Sequence, residues 1–262
     1  MRKYFKKVGT CEQRKECKNS PVHVDKGPYF VLPFDGTFTH PSSVLQTLEK
    51  SRSQIRVMIV TESIPVKALS CMEQKKIPKM ENGRKPRGAF WQLCTLFETI
   101  FEPEARFDIL IRKRKIYWTH AVKCPVEEGK RVNAKVVRCC MREFLSKELE
   151  KLQPEVVLFI TGQRVFDQLR RPDIIEEWEP LNKIDRQADQ HLTKFEKLLK
   201  NELSLAKDSK RTFRDKFTAK LFHSIRVPII VLAHPTTRWP HLAGWSYLIL
   251  YHLRKELANL LS

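Results

Sequence analysis

The sequence predicts an α/β fold in which helices cover both faces of a mainly parallel sheet. Three observations carry this. Short apolar, β-branched runs recur along the chain, as in Ile55-Arg56-Val57-Met58-Ile59-Val60 and Val227-Pro228-Ile229-Ile230-Val231-Leu232-Ala233. Segments with apolar residues at helical spacing separate them. Strand and helix therefore alternate, which is the pattern of a parallel sheet with right-handed crossovers.

The elements follow in order. Residues 1–50 contain Pro21, Pro28, Pro33 and Pro41 and little periodicity, so an irregular arm wrapping the domain is expected. The run 55–60 reads as a first buried strand, and Thr61-Glu62-Ser63-Ile64-Pro65 as the loop after it. Leu93, Leu96, Phe97 and Ile100 mark one face of a helix over 90–101. Lys115 to Val122 is a second strand. Val136, Val137, Cys140, Phe144 and Leu149 give a helical stripe over 133–151. Glu155 to Gly162 is a third strand, followed by a helix over 163–169. Residues 172–220 interrupt the alternation. Leu192, Phe195, Leu199 and Leu203 lie at helical spacing among many lysines and arginines, so a charged helical insertion with a basic face is expected. Residues 227–233 form a fourth strand, and a helix over 243–261 ends the chain.

Composition bounds the function. At 262 residues one domain with elaborations is expected over 1–262. Hydrophobic residues make up 42%, enough for a core, which excludes global disorder. No apolar run approaches the ~20 residues of a membrane span. The opening Met-Arg-Lys-Tyr-Phe-Lys-Lys lacks an apolar signal core, so a cytoplasmic protein with no membrane partner is expected. Against 30 acidic residues stand 49 Lys and Arg, a net charge of +19. Such a surplus suits a polyanion, most simply nucleic acid; the alternative is a solvated basic surface.

Ligands of parallel sheets sit beyond the carboxyl ends of the strands. Three strand ends here carry Glu62, His120 and His234. A carboxylate at Glu62 can orient a water or stabilise a developing cation. His234 can donate a hydrogen bond to an anionic leaving group. The alternatives are a capping carboxylate and a structural histidine. After His234, the run Thr236-Thr237-Arg238-Trp239-Pro240-His241-Leu242 could enter a base stack and hold phosphates, or pack on the last helix.

The seven cysteines read as reduced thiols or metal ligands. Cys11 and Cys17 lie in the arm; Cys124 closes the second strand; Cys140 lies in the next helix. Four such thiolates can hold a [4Fe–4S] cluster or a zinc ion. The alternative for Cys124 and Cys140 is burial as core residues.

These residues also carry a resemblance. Val57-Met58-Ile59-Val60-Thr61-Glu62-Ser63-Ile64-Pro65 resembles the V-M-I-V-G-E-A-P-G opening of the iron–sulfur uracil-DNA glycosylases, the fourth family of their superfamily. Thr119-His120-Ala121-Val122-Lys123-Cys124 resembles their T-N-V-V-K-C, and the Cys124 to Cys140 spacing is similar to their second cysteine pair. Leu152 to Gly162 resembles their L-x-P-K-V-I-V-x-L-G segment, and Ala233-His234-Pro235-Thr236 their closing H-P motif. The matches run in order from about residue 55 to 255.

The resemblance implies a three-layer αβα sandwich around a four-stranded, mainly parallel sheet. It implies a [4Fe–4S] cluster on Cys11, Cys17, Cys124 and Cys140, with Cys71, Cys94 and Cys139 left as ordinary thiols. Zinc is the other occupant. It implies a monofunctional DNA glycosylase, acting as a monomer, that flips out a base and cleaves its N-glycosidic bond to leave an abasic site. Glu62 and His234 would be catalytic. Thr61, Ser63, His120 and Phe90 or Trp91 would meet the base, and Thr236, Thr237, Arg238 and Trp239 the DNA.

The departures concern the base. His120 stands where the family has Asn. Lys85-Pro86-Arg87-Gly88-Ala89-Phe90-Trp91 stands where the family supplies a stacking Phe, and the arm has C-x5-C for C-x2-C. The expected substrate is uracil or a modified pyrimidine. Some superfamily members are linked to phage defence, so removal of hypermodified phage bases is the alternative role. A nucleic-acid-binding protein that keeps fold and cluster without catalysis is the second alternative.

Overall fold

The computed structural model describes residues 5–7, 20–23, 27–31, 41–64, 110–111, 113–127, 129–161, 163–169, 220–221, 228–232 and 254–261, with single positions at 11, 15, 17, 66, 93, 97, 171 and 174. At its centre lie β3 (Val57–Thr61), β4 (Ile116–His120), β5 (Val156–Ile160) and β7 (Pro228–Val231), all parallel. The order is β4-β3-β5-β7, and a short β6 (Lys220–Leu221) adds an antiparallel edge beside β7. Every residue of β3, β4 and β5 is buried. A sheet covered on both faces needs such unbroken apolar strands, and Val57-Met58-Ile59-Val60 and Val156 to Ile160 supply them. The four parallel strands are the four expected; the fifth is a two-residue edge with no pattern of its own.

The strand order makes β3 the first strand, with β4 on one side and β5 on the other. Successive connections leave in opposite directions, so right-handed crossovers put them on opposite faces. One face carries α2 (Ala134–Cys140), a π-helical turn (Met141–Leu145) and α3 (Ser146–Leu152), then α4 (Gln163–Leu169), which packs on α2. In the connection from β3 to β4, Leu93 and Phe97 are helical and buried. Asn133 caps α2, its side chain accepting from the Lys135 N–H at 2.8 Å. Gln153 ends α3 in the left-handed conformation at φ +46°. The sequence pattern read 133–151 as one helix; the structure inserts the π-helical turn and keeps Cys140, Phe144, Glu148 and Leu152 on one buried stripe.

The arm differs from expectation. Pro41–Lys50 is a helix, α1, whose Val44 and Leu48 are fully buried and which packs on α3. Proline suits the first turn of a helix, where its missing N–H costs nothing, so Pro41 starts an element where it was read as breaking one. Before it, β1 (Phe5–Lys7) and β2 (Tyr29–Val31) pair antiparallel. The arm is sewn to the segment after β4: Tyr29 N–H donates to Lys123 O, His23 N–H to Pro125 O and Glu127 N–H to Pro21 O. Of the expected last helix, Arg254–Leu261 is described as α5, with Leu257 and Leu261 buried. Among the described residues no helix is long and apolar enough to cross a membrane. The insertion expected over 172–220 lies almost wholly outside the described residues.

Candidate active site

An open parallel sheet binds its ligands at the strand ends where the order reverses, because two loops diverge there and leave a crevice. With β3 first, β4 beside it and β5 on its other side, that point lies between the carboxyl ends of β3 and β5. Glu62 follows β3 immediately, and Arg164 lies in the first turn after β5. Arg164 Nη2 donates to Glu62 Oε1 at 2.6 Å, and its Nη1 donates to Val132 O at 2.5 Å. One guanidinium thus ties together the loops that follow β3, β4 and β5. The Glu62 and Arg164 side chains are 26% and 40% exposed, so the pair at these strand ends is partly open to solvent. Burial raises the Glu62 pKa from the usual carboxylate value, and the positive charges of Arg164 and Arg131 oppose that rise.

Thr61 and His120 face each other across the β3–β4 register. Thr61 Oγ1 lies 2.7 Å from His120 Nδ1 and 3.0 Å from Trp118 Nε1, which donates to it. The Trp118 and His120 rings meet edge-on with centroids 5.3 Å apart. Alternate residues of a strand share a face, so Trp118 and His120 line one side of β4 while Tyr117 and Thr119 line the other. The imidazole is therefore buried and oriented before any ligand arrives. Ser63 is half-buried beside Glu62.

On the second side of β4 lies a charged network that the sequence pattern did not reveal. Glu148 of α3 accepts from Tyr117 OH at 2.7 Å, from Thr119 Oγ1 at 3.1 Å and from Lys123 Nζ at 2.6 Å. Lys123 Nζ also donates to Thr119 Oγ1 and stands 5.3 Å from the centroid of the Phe30 ring. Lys123 and Glu148 have no exposed side-chain surface at all. Burial lowers the Lys123 pKa, and Glu148 opposes the shift.

The uracil DNA glycosylase superfamily model matches residues 85–241, more than half of the chain. The chain belongs to the uracil DNA glycosylase superfamily. Members of this superfamily are typically DNA glycosylases, hydrolases that act on DNA in base excision. No curated protein matches the chain. The matched span holds His120, Cys124, Cys140, Arg164 and His234; Glu62 and the arm cysteines precede it.

The expected cluster ligands are all described. Cys11, Cys17, Cys124 and Cys140 are buried, none is in a disulfide, and Cys139 is buried with them. Burial pushes the Cys140 thiol up to about 12. The Lys123 backbone N–H opposes this, while the charges of Cys17, Cys11 and Cys139 add to it. The arm thiols therefore lie within electrostatic reach of the helix thiol. Cys124 is packed against Gly27, where a Cβ would lie 2.6 Å from its sulfur. In donor chemistry the set fits an iron–sulfur cluster: four soft ligands from arm, strand end and helix, shielded from water. Among the described residues no three such side chains are drawn close enough to form a metal-holding group.

Other expected site residues lie outside the described residues: Phe90, Trp91, His234, Thr236, Thr237, Arg238 and Trp239. The described fold leads up to them, since Leu232 N–H still bonds Phe159 O at 3.0 Å, two positions before His234. Arg164 is the site residue that sequence reading missed. Its signal was weak: a cation just past Gly162, at a strand end, in what reads as an ordinary helix start.

Proposed function

We propose that this superfamily member is a monofunctional DNA glycosylase that flips out a non-standard base, uracil or a modified pyrimidine, and leaves an abasic site. The observation that carries the reading is the Glu62 carboxylate at the switch point of the sheet, clamped by Arg164 beside the Thr61–His120 pair. The chain acts as a single domain and a monomer. Exposed Arg131, whose charge reaches Glu62, begins a phosphate track with its exposed neighbours Lys130 and Lys135 at the entry to α2. Arg238, Trp239, Thr236 and Thr237 extend it, and the 172–220 insertion lengthens it further.

The chemistry follows from charge. The C1′–N bond breaks with both its electrons passing to the base. The sugar gains positive charge, which the Glu62 carboxylate stabilises, and water adds at C1′ on the side Glu62 faces. The water's proton passes to Glu62 and on to solvent, and the departing base anion, stabilised by a hydrogen bond from His234, takes up a proton from solvent. No lysine nucleophile is called for, so the strand stays intact. His120 reads the base edge, Ser63 and Thr61 line its seat, and Phe90 or Trp91 stacks on it. An imidazole where relatives carry an amide favours an altered target, with modified phage pyrimidines as the alternative role.

Release of free base from oligonucleotides containing uracil, and from phage DNA bearing modified pyrimidines, tests this directly. The expected product is an alkali-labile abasic site on an uncut strand, absent with His234→Ala. No released base from any of these substrates overturns the reading.

Cys11, Cys17, Cys124 and Cys140 are proposed to hold a [4Fe–4S] cluster, which when bound would staple the arm to the sheet. Protein purified without oxygen should be brown and contain iron and sulfide. Cys17→Ser and Cys140→Ser should lose both, and Cys139→Ser should keep them. Colourless protein containing zinc alone would replace the cluster with a zinc site.

A further inference from the structure

The Arg164–Glu62 pair lies at one end of a fork whose other arm grips a backbone carbonyl. An exposed ion pair of ordinary geometry holds nothing in place, because two long side chains lose entropy to stay together. This one differs in three ways. The guanidinium is anchored independently through Val132 O. The carboxylate is anchored by its own backbone, since Glu62 O accepts from the Val122 N–H at 2.9 Å. Arg164 engages only Oε1, and among the described residues nothing is hydrogen-bonded to Oε2.

We propose that Arg164 is a positioning residue, a clamp that fixes the Glu62 carboxylate by one oxygen and leaves the other directed at the reacting water or sugar. This rests on the reading of Glu62 as the working carboxylate, and it adds a residue that the motifs do not supply. A rigid carboxylate needs no reorganisation as charge develops at C1′, which is how a fixed charge accelerates a reaction. The cations facing Glu62 among the described residues are Arg164, from α4, and Arg131, from the segment entering α2; the titratable group at the neighbouring strand end is His120. Burial raises the Glu62 pKa above 4.5, and Arg164 holds that rise in check. Activity that needs ionised Glu62 therefore climbs as pH rises through its midpoint, and loss of Arg164 moves that climb to higher pH.

The test is the pH profile of single-turnover base release in the parent, Arg164→Lys and Arg164→Gln. Arg164→Gln should shift the acid limb upward by about one to three pH units, the size of an adjacent-guanidinium effect. Its rate should approach the parent's at high pH. Arg164→Lys keeps the charge and should hold the limb near the parent's while losing rate through the lost fork. An unmoved limb with weaker DNA binding would overturn the clamp and leave Arg164 a phosphate contact. A second readout needs no turnover: the Glu62 carboxyl signal in ¹³C-labelled protein, assigned with Glu62→Gln, titrated without DNA. Its midpoint should rise in Arg164→Gln, and an unchanged midpoint overturns the proposal. A rising midpoint in a protein that releases no base sinks the glycosylase reading and leaves the clamp standing.

Discussion

Replacing Glu62 by Gln should slow base release by about 10²- to 10⁴-fold, the usual worth of a positioned acid–base or charge-stabilising group. The substitution is nearly isosteric, so the crevice keeps its shape. The ion pair it removes is partly exposed, with Glu62 26% and Arg164 40% accessible, so the stability change should stay within about 1 kcal/mol. DNA binding should be unchanged or slightly tighter, because a negative charge leaves the neighbourhood of Arg131 and the phosphates. The discriminating result is a fall in kcat without a rise in KM, which marks an interaction made in the transition state. Single-turnover kinetics with a fluorescence binding isotherm read both. A variant as fast as the parent would remove Glu62 from the chemistry.

The sheet was legible because burial on both faces leaves a strong mark. Val57 to Val60, Val156 to Ile160 and Ile229 to Ala233 are continuous apolar runs of strand length, as strands buried on both faces require. Glu62 and His120 were legible for the converse reason, since a polar residue ending such a run stands out. What escaped is non-local or ambiguous. Arg164 meets Glu62 across 102 positions of sequence, and no local pattern encodes that pairing. Pro41 is compatible with both a break and a helix start, and only the burial of Val44 and Leu48 against α3 decides between them. Glu148 lies on the buried stripe of Cys140, Phe144 and Leu152, where a carboxylate breaks the apolar pattern; its lysine partner is on another element. The four cysteines suggested a cluster or zinc site by residue type alone, but a C-x5-C spacing is not a tight metal knuckle, and only the resemblance singled out the cluster.

The second large effect concerns that buried pair. Lys123→Met should destabilise the protein by about 3–5 kcal/mol, because it leaves the Glu148 carboxylate buried without its ammonium. Against a typical total of about 5–15 kcal/mol this is a large share. Glu148→Gln alone strands the Lys123 charge instead and should cost a similar amount. The double variant buries no net charge, so its loss should be smaller than the sum of the singles, a coupling of at least about 1 kcal/mol. It should not recover fully, because Tyr117 OH and Thr119 Oγ1 both look to Glu148 for an acceptor. Urea unfolding midpoints of the four proteins measure the cycle. Small, additive losses would mean that water reaches the pair and the network carries no strain when opened. The position of the network gives the effect a wider reach. Lys123 lies between Val122, whose N–H holds the Glu62 backbone, and Cys124, which packs on Gly27 of the arm. Opening the network should therefore loosen the arm and the Glu62 loop together, so protease cleavage of the arm and loss of base release should appear in the same variant.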